Sequence, residues 1–225
     1  MAEKETQQDL VVLLHGIGRT LWNMDMLARC LRKAGYAVLN LRYPSRHHPI
    51  AELVGWLKDR LEAEQVWQGT AHGRVHFVCH SMCGLITGFY LAGRKDSTST
   101  ERLGRVVMLG TPHGGSELAD WLQHNPLYRW YFGPAGQELT TTARTADQIA
   151  PWYPLGIIAG RQSWLMPLTR IWFPGANDGM VSVESTKLDG MADHITVSVI
   201  HGLMGWSPTV QRHVVGFLRE GVFVR

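Results

Sequence analysis

The sequence predicts an α/β protein built on one minimal parallel sheet of about six strands, with helices on both faces and a short cap segment. Short runs of β-branched and aliphatic residues alternate with longer segments of helical period, which is the pattern of successive βαβ units. The chain has 225 residues, of which 45% are hydrophobic and 18% are charged, so it can bury one substantial core. We therefore predict a single domain over residues 1–225.

The first half of the chain contains three strand–helix units. The run LVVLLH at 10–15 predicts a buried strand, and the apolar spacing at 23–35 predicts a helix. Asn23 is a candidate N-cap of that helix, and Gly35 lies at its C-terminal end. The alternation continues with a strand at 36–43, a helix at 50–65, a strand at 74–80 and a helix at 84–93.

The second half adds three strands and a closing helix. Strands are predicted at 105–110, 156–160 and 194–200, followed by a helix at 207–221. The interval of about 115–155 is rich in Trp, Tyr, Pro and Gly and has no clear period. We predict that these residues form an insertion above the sheet, called the cap below.

Composition and charge exclude several classes of function. The formal net charge is only +3, and the Lys and Arg residues form no run or stripe along the sequence, so we expect no nucleic-acid partner. No apolar stretch approaches the roughly 18 residues that a membrane-spanning helix needs. The polar start of the chain and its three cysteines lead us to expect a cytoplasmic protein. No metal-ligand spacing occurs, so no metal is expected, and the oligomeric state stays open.

Ser81 lies at the corner between a predicted strand and a predicted helix, in the stretch VHFVCHSMCGLI. A tight turn there lifts the hydroxyl above the sheet edge, and the helix N-terminus favours developing negative charge. This position suits a nucleophile. The alternative is an N-cap serine, because serine is also preferred at helix N-termini.

The stretch LLHGIGRT places a glycine-rich turn directly after the first predicted strand. An oxyanion hole needs two backbone N–H groups that converge on the reacting oxygen. The amide of Ile17 in this turn and the amide of Met82, which follows Ser81, are the candidates. The alternative is a plain turn between strand and helix.

A serine nucleophile needs an imidazole base, and the base needs a carboxylate to fix its tautomer. In a sheet of this kind the acid follows a late strand and the base follows the last one. Asp178 in the turn PGANDGMVS is the candidate acid, although Asn-Asp-Gly is a turn signal in its own right. His201 at the end of the last strand is the candidate base. Its rival, His194, opens the same strand and is expected at the opposite edge of the sheet.

Five motifs together resemble a known family. HGIGRT, HSMCGL, GTPHGGSELADWL, NDGMVS and SVIH occur in the order seen in bacterial lipase-like members of the α/β-hydrolase superfamily. The resemblance covers nearly the whole chain. It implies the α/β-hydrolase fold, with Ser81 as nucleophile, Asp178 as acid, His201 as base and the amides of Ile17 and Met82 as the oxyanion hole.

The function implied by the resemblance is hydrolysis of carboxylic esters, with a small-molecule or lipid-like ester as substrate and without a cofactor. An acyltransferase or thioesterase could use the same three residues, because the triad serves whichever nucleophile resolves the acyl-enzyme. A binding or scaffold protein that kept the fold and lost turnover is the alternative of another class.

Two features leave alternatives open. The aromatic and aliphatic side chains of the cap either line a substrate pocket or pack as core; the pocket candidates are Trp121, Leu127, Trp130 and Tyr131. Cys79 and Cys83 stand where the family has small residues on either side of the serine. They are either reduced packing residues or a redox pair able to form a disulfide.

Overall fold

Six parallel strands form one sheet in the computed structural model, which describes residues 7–68, 72–97, 101–145, 148–163, 172–173 and 175–225. The strands are β1 (Leu10–Leu14), β2 (Ala37–Leu41), β3 (Val75–His80), β4 (Leu103–Leu109), β5 (Leu155–Gly160) and β6 (Asp193–Val197). Their order in the sheet is β2-β1-β3-β4-β5-β6, and every neighbouring pair is parallel. The predicted α/β class is confirmed.

Helices cover both faces of the sheet. They are α1 (Trp22–Lys33), α2 (Ile50–Ala63), α3 (Cys83–Ala92), α4 (Glu117–Leu122), α5 (Pro126–Gln137), α6 (Thr141–Thr145) and α7 (Pro208–Glu220). Two separate apolar cores follow from this layering. One includes Leu53 and Leu57 of α2, and the other includes Leu27 of α1 and Phe217 of α7. None of the helices within the described ranges is both long and apolar enough to cross a membrane.

The start of α1 differs from the sequence prediction. The N-cap is Leu21, which makes no side-chain capping bond, and Asn23 is already helical. The Asn23 side chain instead accepts a hydrogen bond from the backbone of Thr20 at 3.4 Å. The prediction of Gly35 at the other end is confirmed, because this glycine takes the left-handed conformation with φ 98°.

The cap contains three short helices, α4 to α6; residues 146 and 147 within it lie outside the described part of the chain. Ser116 and Asn125 cap α4 and α5 by accepting hydrogen bonds from backbone N–H groups one turn on. Helix α5 breaks at Gly133, where φ is 63° and a β-carbon would collide with the backbone oxygen of Arg46. This close approach fastens the cap to the loop that follows β2.

The strand order reverses between β1 and β3. From β1 the chain goes to one side for β2, then returns to place β3 on the other side of β1. Parallel sheets bind their ligands in the crevice at the carboxyl ends of the strands at such a switch point. The turn after β1 and the corner after β3, which carries Ser81, meet there.

Candidate active site

Ser81 has a backbone conformation that non-glycine residues rarely adopt. Its φ is 63°, and its N–H donates to the carbonyl of Leu109 at the end of β4 at 2.8 Å. Its own carbonyl accepts from the backbone of Gly84 at 3.0 Å, which closes the corner between β3 and α3. Left-handed backbone at a serine costs on the order of 1–3 kcal/mol and is typical of functional sites.

Ser81 does not serve as a helix cap. The N-cap of α3 is Met82, and no side chain caps this helix. The Ser81 hydroxyl oxygen instead lies 2.9 Å from Nε2 of His201. The geometry therefore removes the N-cap alternative and leaves the hydroxyl directed at an imidazole.

Ser81, His201 and Asp178 form one buried hydrogen-bonded chain. Nδ1 of His201 lies 2.7 Å from Oδ2 of Asp178. The other carboxylate oxygen accepts backbone N–H bonds from Met180 and Val181 at 3.0 and 2.9 Å, which fixes the carboxylate plane. Since a carboxylate only accepts, Nδ1 carries a proton, and Nε2 of the neutral ring is free to accept the serine proton.

The rival histidine lies elsewhere. His194 belongs to β6, and its Nε2 lies 3.0 Å from the hydroxyl of Thr186. It is the second residue of β6 and so lies at the amino end of that strand, whereas Ser81 and His201 follow the carboxyl ends of β3 and β6. The structure thus brings His201, and not His194, to the serine.

The candidate oxyanion amides lie on the two sides of Ser81. A β-carbon on Gly16 would be 3.0 Å from the Ser81 β-carbon, so the turn after β1 passes against the nucleophile corner. Ile17 and Met82 are buried, and neither backbone N–H donates to any group in the described part of the chain. Unpaired amides on the two segments that flank Ser81 are available for an oxyanion hole.

The loop after β2 holds this turn in place. The Tyr43 hydroxyl donates to the carbonyl of His15 at 2.9 Å, and its ring stacks on the His15 ring. The Ser45 hydroxyl accepts from the backbone N–H of Gly18 at 3.1 Å. These contacts limit the movement of the Ile17 amide that lies between them.

Two residues that the sequence did not indicate support the hydrogen-bonded side chains of Ser81, His201 and Asp178. His80 is fully buried, and its Nε2 lies 2.9 Å from the carbonyl of His201, while the two rings pack with centroids 4.7 Å apart. Burial, followed by the nearby His201, lowers the pKa of His80 well below its usual value, so the neutral ring donates this bond. Thr111 donates from its hydroxyl to the Ser81 carbonyl at 2.9 Å. Only the position of His80 next to Ser81 could have indicated a role from the sequence.

A small cavity of about 20 Å³ opens beside Ser81 and His201. Its wall is mostly apolar and comes largely from the cap: Ile17, Pro112, Ser116, Leu118, Ala119, Tyr128, Phe132, Leu139, Met180 and Val181. This volume accommodates about one water molecule.

Helix α5 presents a different face to the cavity than the sequence predicts. Tyr128 and Phe132 line it, whereas Leu127 and Trp130 are 75% and 77% exposed on the outer side. Trp121 is also exposed and packs against the Trp172 ring. Tyr131 lies apart from the cavity and contacts Gly18. The four predicted pocket residues thus form the outer surface and rim of the cap.

Cys79 and Cys83 are both free thiols, and both are fully buried. Cys79 donates to the hydroxyl of Thr87 at 3.1 Å, and the Cys83 sulfur lies 3.0 Å from the carbonyl oxygens of Leu14 and His80. The tightest packing falls one residue later, at Gly84, where a β-carbon would collide with the Thr111 side chain. The corner therefore requires its glycine at 84 and accommodates Cys at 79 and 83.

Whether Cys79 and Cys83 form a disulfide stays a prediction to be tested, and the structure indicates the result to expect from oxidation. Burial raises the pKa of the Cys83 thiol well above its usual value, and the protonated thiol is not the reactive form. We expect native protein treated with diamide to keep the same free-thiol count and turnover as protein kept in dithiothreitol. Loss of two thiols together with loss of activity, abolished in Cys79→Gly/Cys83→Gly, would instead establish a redox pair.

In the ranges that the structure describes, no three His, Cys, Asp or Glu side chains come together as a metal site requires.

Solved structures with the same architecture include several hydrolases. The Bacillus licheniformis lipase BlEst2 in its mature form is 19% identical with a TM-score of 0.67, over 99% of this chain and 95% of that one. The metagenomic carboxyl esterase MGS0156 is 17% identical with a TM-score of 0.69, over 96% of this chain and 75% of that one. The Paleococcus ferrophilus monoacylglycerol lipase is 16% identical with a TM-score of 0.59, over 96% and 97%.

No protein-family model and no curated protein matches the sequence. The likeness thus rests on three-dimensional structure, at an identity that establishes the fold alone. The strand order, the corner at Ser81 and these matches together show that the chain has the α/β-hydrolase fold.

Proposed function

We propose that the protein is a serine hydrolase that cleaves carboxylic esters. The observation that carries this proposal is the continuous chain from the Ser81 hydroxyl through the His201 ring to the Asp178 carboxylate, with separations of 2.9 and 2.7 Å. The solved structures described as lipases and esterases support the same reaction class.

The reaction begins when His201 takes the Ser81 proton through Nε2 and the serine oxygen attacks the ester carbonyl carbon. The carbonyl oxygen becomes an oxyanion, which the amides of Ile17 and Met82 stabilise. His201 then gives its proton to the leaving alcohol as the carbon–oxygen bond breaks, and an acyl-enzyme remains. Water, deprotonated by the same imidazole, releases the carboxylic acid and restores Ser81.

Asp178 contributes by orientation and charge. Its Oδ2 accepts the Nδ1 proton and stabilises the imidazolium that forms at each proton transfer. His80 is a positioning residue, because its bond to the His201 carbonyl holds the backbone that carries the base. Both are buried, so water does not compete for these bonds.

Labelling with a fluorophosphonate tests the proposal. We expect one covalent adduct by intact-protein mass measurement, located on Ser81 by peptide mapping and absent from Ser81→Ala. A protein that binds the same substrates without turnover would give no adduct. Assaying matched esters and thioesters, with and without an added alcohol acceptor, distinguishes hydrolysis from the acyltransferase and thioesterase alternatives.

The narrow cavity predicts a preference for short acyl chains, and Phe132 is the residue that sets it. Phe132→Ala removes a ring from the cavity wall, and each added methylene in an apolar pocket changes kcat/KM by about tenfold or more. We expect the ratio of kcat/KM for p-nitrophenyl octanoate to that for the acetate to rise by at least about tenfold.

Leu127→Ala is the matched control for this prediction. It shortens a side chain on the same helix that is 75% exposed on the outer face. The ratio should stay within about twofold of the wild-type value. An equal shift in both variants would mean that the acyl chain does not occupy the cavity beside Phe132.

A further inference from the structure

Positive charge is concentrated on two loops beside the candidate oxyanion turn. The chain as a whole is nearly balanced, with 22 Lys and Arg against 19 Asp and Glu. Yet no acidic residue occurs from 10 to 24 or from 26 to 51, the stretches that contain the turn after β1 and the loop after β2. Arg19 lies on the first loop, and Arg42 and Arg46 lie on the second.

Arg19 lies next to the base. Its Nη2 would be 2.9 Å from a β-carbon on Gly202, the residue that follows His201. Its positive charge reaches the buried rings of the site, since it contributes to the lowered pKa of His80. The side chain is exposed, and within the described residues it forms no ion pair.

Arg46 lies on the other side of the same turn. Its guanidinium carbon is 5.5 Å from the centre of the Tyr131 ring, and that ring contacts Gly18. The loop around it, from Arg42 to His47, encloses an open depression of about 370 Å³. Neither Arg42 nor Arg46 has a carboxylate partner among the residues that the structure describes.

Three acidic residues that lie near this loop or in the site have other partners. Glu52 pairs with His48 at 2.7 Å, and Glu138 accepts a bond from the backbone of Ile50. Asp178 is occupied by His201 at the bottom of the site. These three carboxylates therefore do not pair with Arg19, Arg42 or Arg46.

Arg19 is an exposed cation beside the segment that carries the candidate base, and it has no carboxylate partner among the described residues. A negative group on the bound substrate would supply that partner. Arginine is well suited to this task, because its planar fork binds carboxylates and phosphates through two parallel hydrogen bonds.

The position of Arg19 indicates which part of the ester carries the charge. The apolar cavity beside Ser81 suits the acyl part. The leaving alcohol must approach Nε2 of His201 to receive its proton, so it passes the segment that contains Gly202 and Arg19. Building on the proposed esterase function, we propose that Arg19, with Arg42 and Arg46 behind it, selects esters whose alcohol part carries an anionic group, a carboxylate or a phosphate.

A charge series of leaving groups tests this selection. The butyryl esters of 3-hydroxybenzoate, 3-hydroxybenzamide and 3-hydroxyphenyltrimethylammonium share one acyl chain and one ring and differ mainly in charge. We expect kcat/KM for the anionic ester to exceed that for the neutral one by about tenfold at low ionic strength, with the cationic ester slowest. The advantage should shrink in salt of about 0.5 M, because exposed charges are screened there.

Variants assign the effect to residues. Arg19→Gln should reduce the anionic-to-neutral ratio to about one or two, and Arg46→Gln should reduce it partly. Arg74→Gln is the matched control. Arg74 is an exposed arginine just before β3, at the amino end of the strand whose carboxyl end leads to Ser81. The anionic-to-neutral ratio of this variant should equal that of wild type. A comparison of kcat/KM for 1-butyrylglycerol and for its 3-phosphate tests whether a phosphate group can supply the negative charge.

The outcomes separate this inference from the proposed function. Equal rates for all three charges, or a ratio that Arg19→Gln leaves unchanged, would overturn the selection while leaving an active esterase. Absence of turnover on every ester, together with no fluorophosphonate adduct on Ser81, would overturn the proposed function itself.

Discussion

Ser81→Ala is expected to lower kcat on an activated ester by roughly 10⁴ to 10⁶, in line with the loss of a member of a catalytic triad. The substitution removes the oxygen proposed to attack the ester, while the amides of Ile17 and Met82, the proposed oxyanion hole, remain. The residual rate should therefore exceed that of the uncatalysed reaction. Steady-state kinetics with p-nitrophenyl butyrate measures the change.

The control for this variant must show that the fold is intact. Circular dichroism and thermal unfolding of Ser81→Ala should resemble those of wild type, since the alanine keeps the β-carbon of the corner. Ser198→Ala, at an exposed serine just after β6, should keep full activity. Activity of Ser81→Ala within tenfold of wild type would rule out this serine as the nucleophile.

His201→Ala is expected to be nearly as damaging as Ser81→Ala. Without the imidazole the serine keeps its proton, and the leaving alcohol receives none. Because the two residues act as one unit, the double variant should be no worse than either single variant. The measurement is kcat for the two single variants and the double variant on the same ester.

His194→Ala provides the comparison for this prediction. The structure places His194 against Thr186, away from the serine, so its loss should cost less than about tenfold. If His194→Ala were the more damaging change, the assignment of the base at the end of β6 would be wrong.

The sheet and the positions of the three candidate side chains follow from local sequence patterns. Each strand is a short, largely apolar run; Ser81 directly follows β3, and three residues separate His201 from the end of β6. For Asp178 the sequence alone leaves two interpretations, because Asn-Asp-Gly also describes an ordinary turn. In the structure Asp178 fits both interpretations. One carboxylate oxygen accepts backbone hydrogen bonds that close the turn, and the other lies against Nδ1 of His201.

The cap could not be predicted in the same way. Its helices are short, and Gly133-Pro134 interrupts the longest of them, so no apolar period was long enough to assign an inner face. Trp130 was therefore among the predicted pocket residues and Phe132 was not, although the structure turns Trp130 outward and Phe132 inward. The roles of His80 and Thr111 depend on backbone groups far away in sequence, which no local pattern contains.

The order of the strands has a consequence for folding during synthesis. Synthesis proceeds from the N-terminus, and β1, β2 and β3 can pair before the rest of the chain exists, each later strand then adding beside its predecessor. Asp178 and His201 arrive only in the last quarter of the chain. A nascent chain on the ribosome can thus present the serine corner without a base to activate it. Ser81, His201 and Asp178 can therefore come together only after β6 has added to the sheet, since His201 follows that strand.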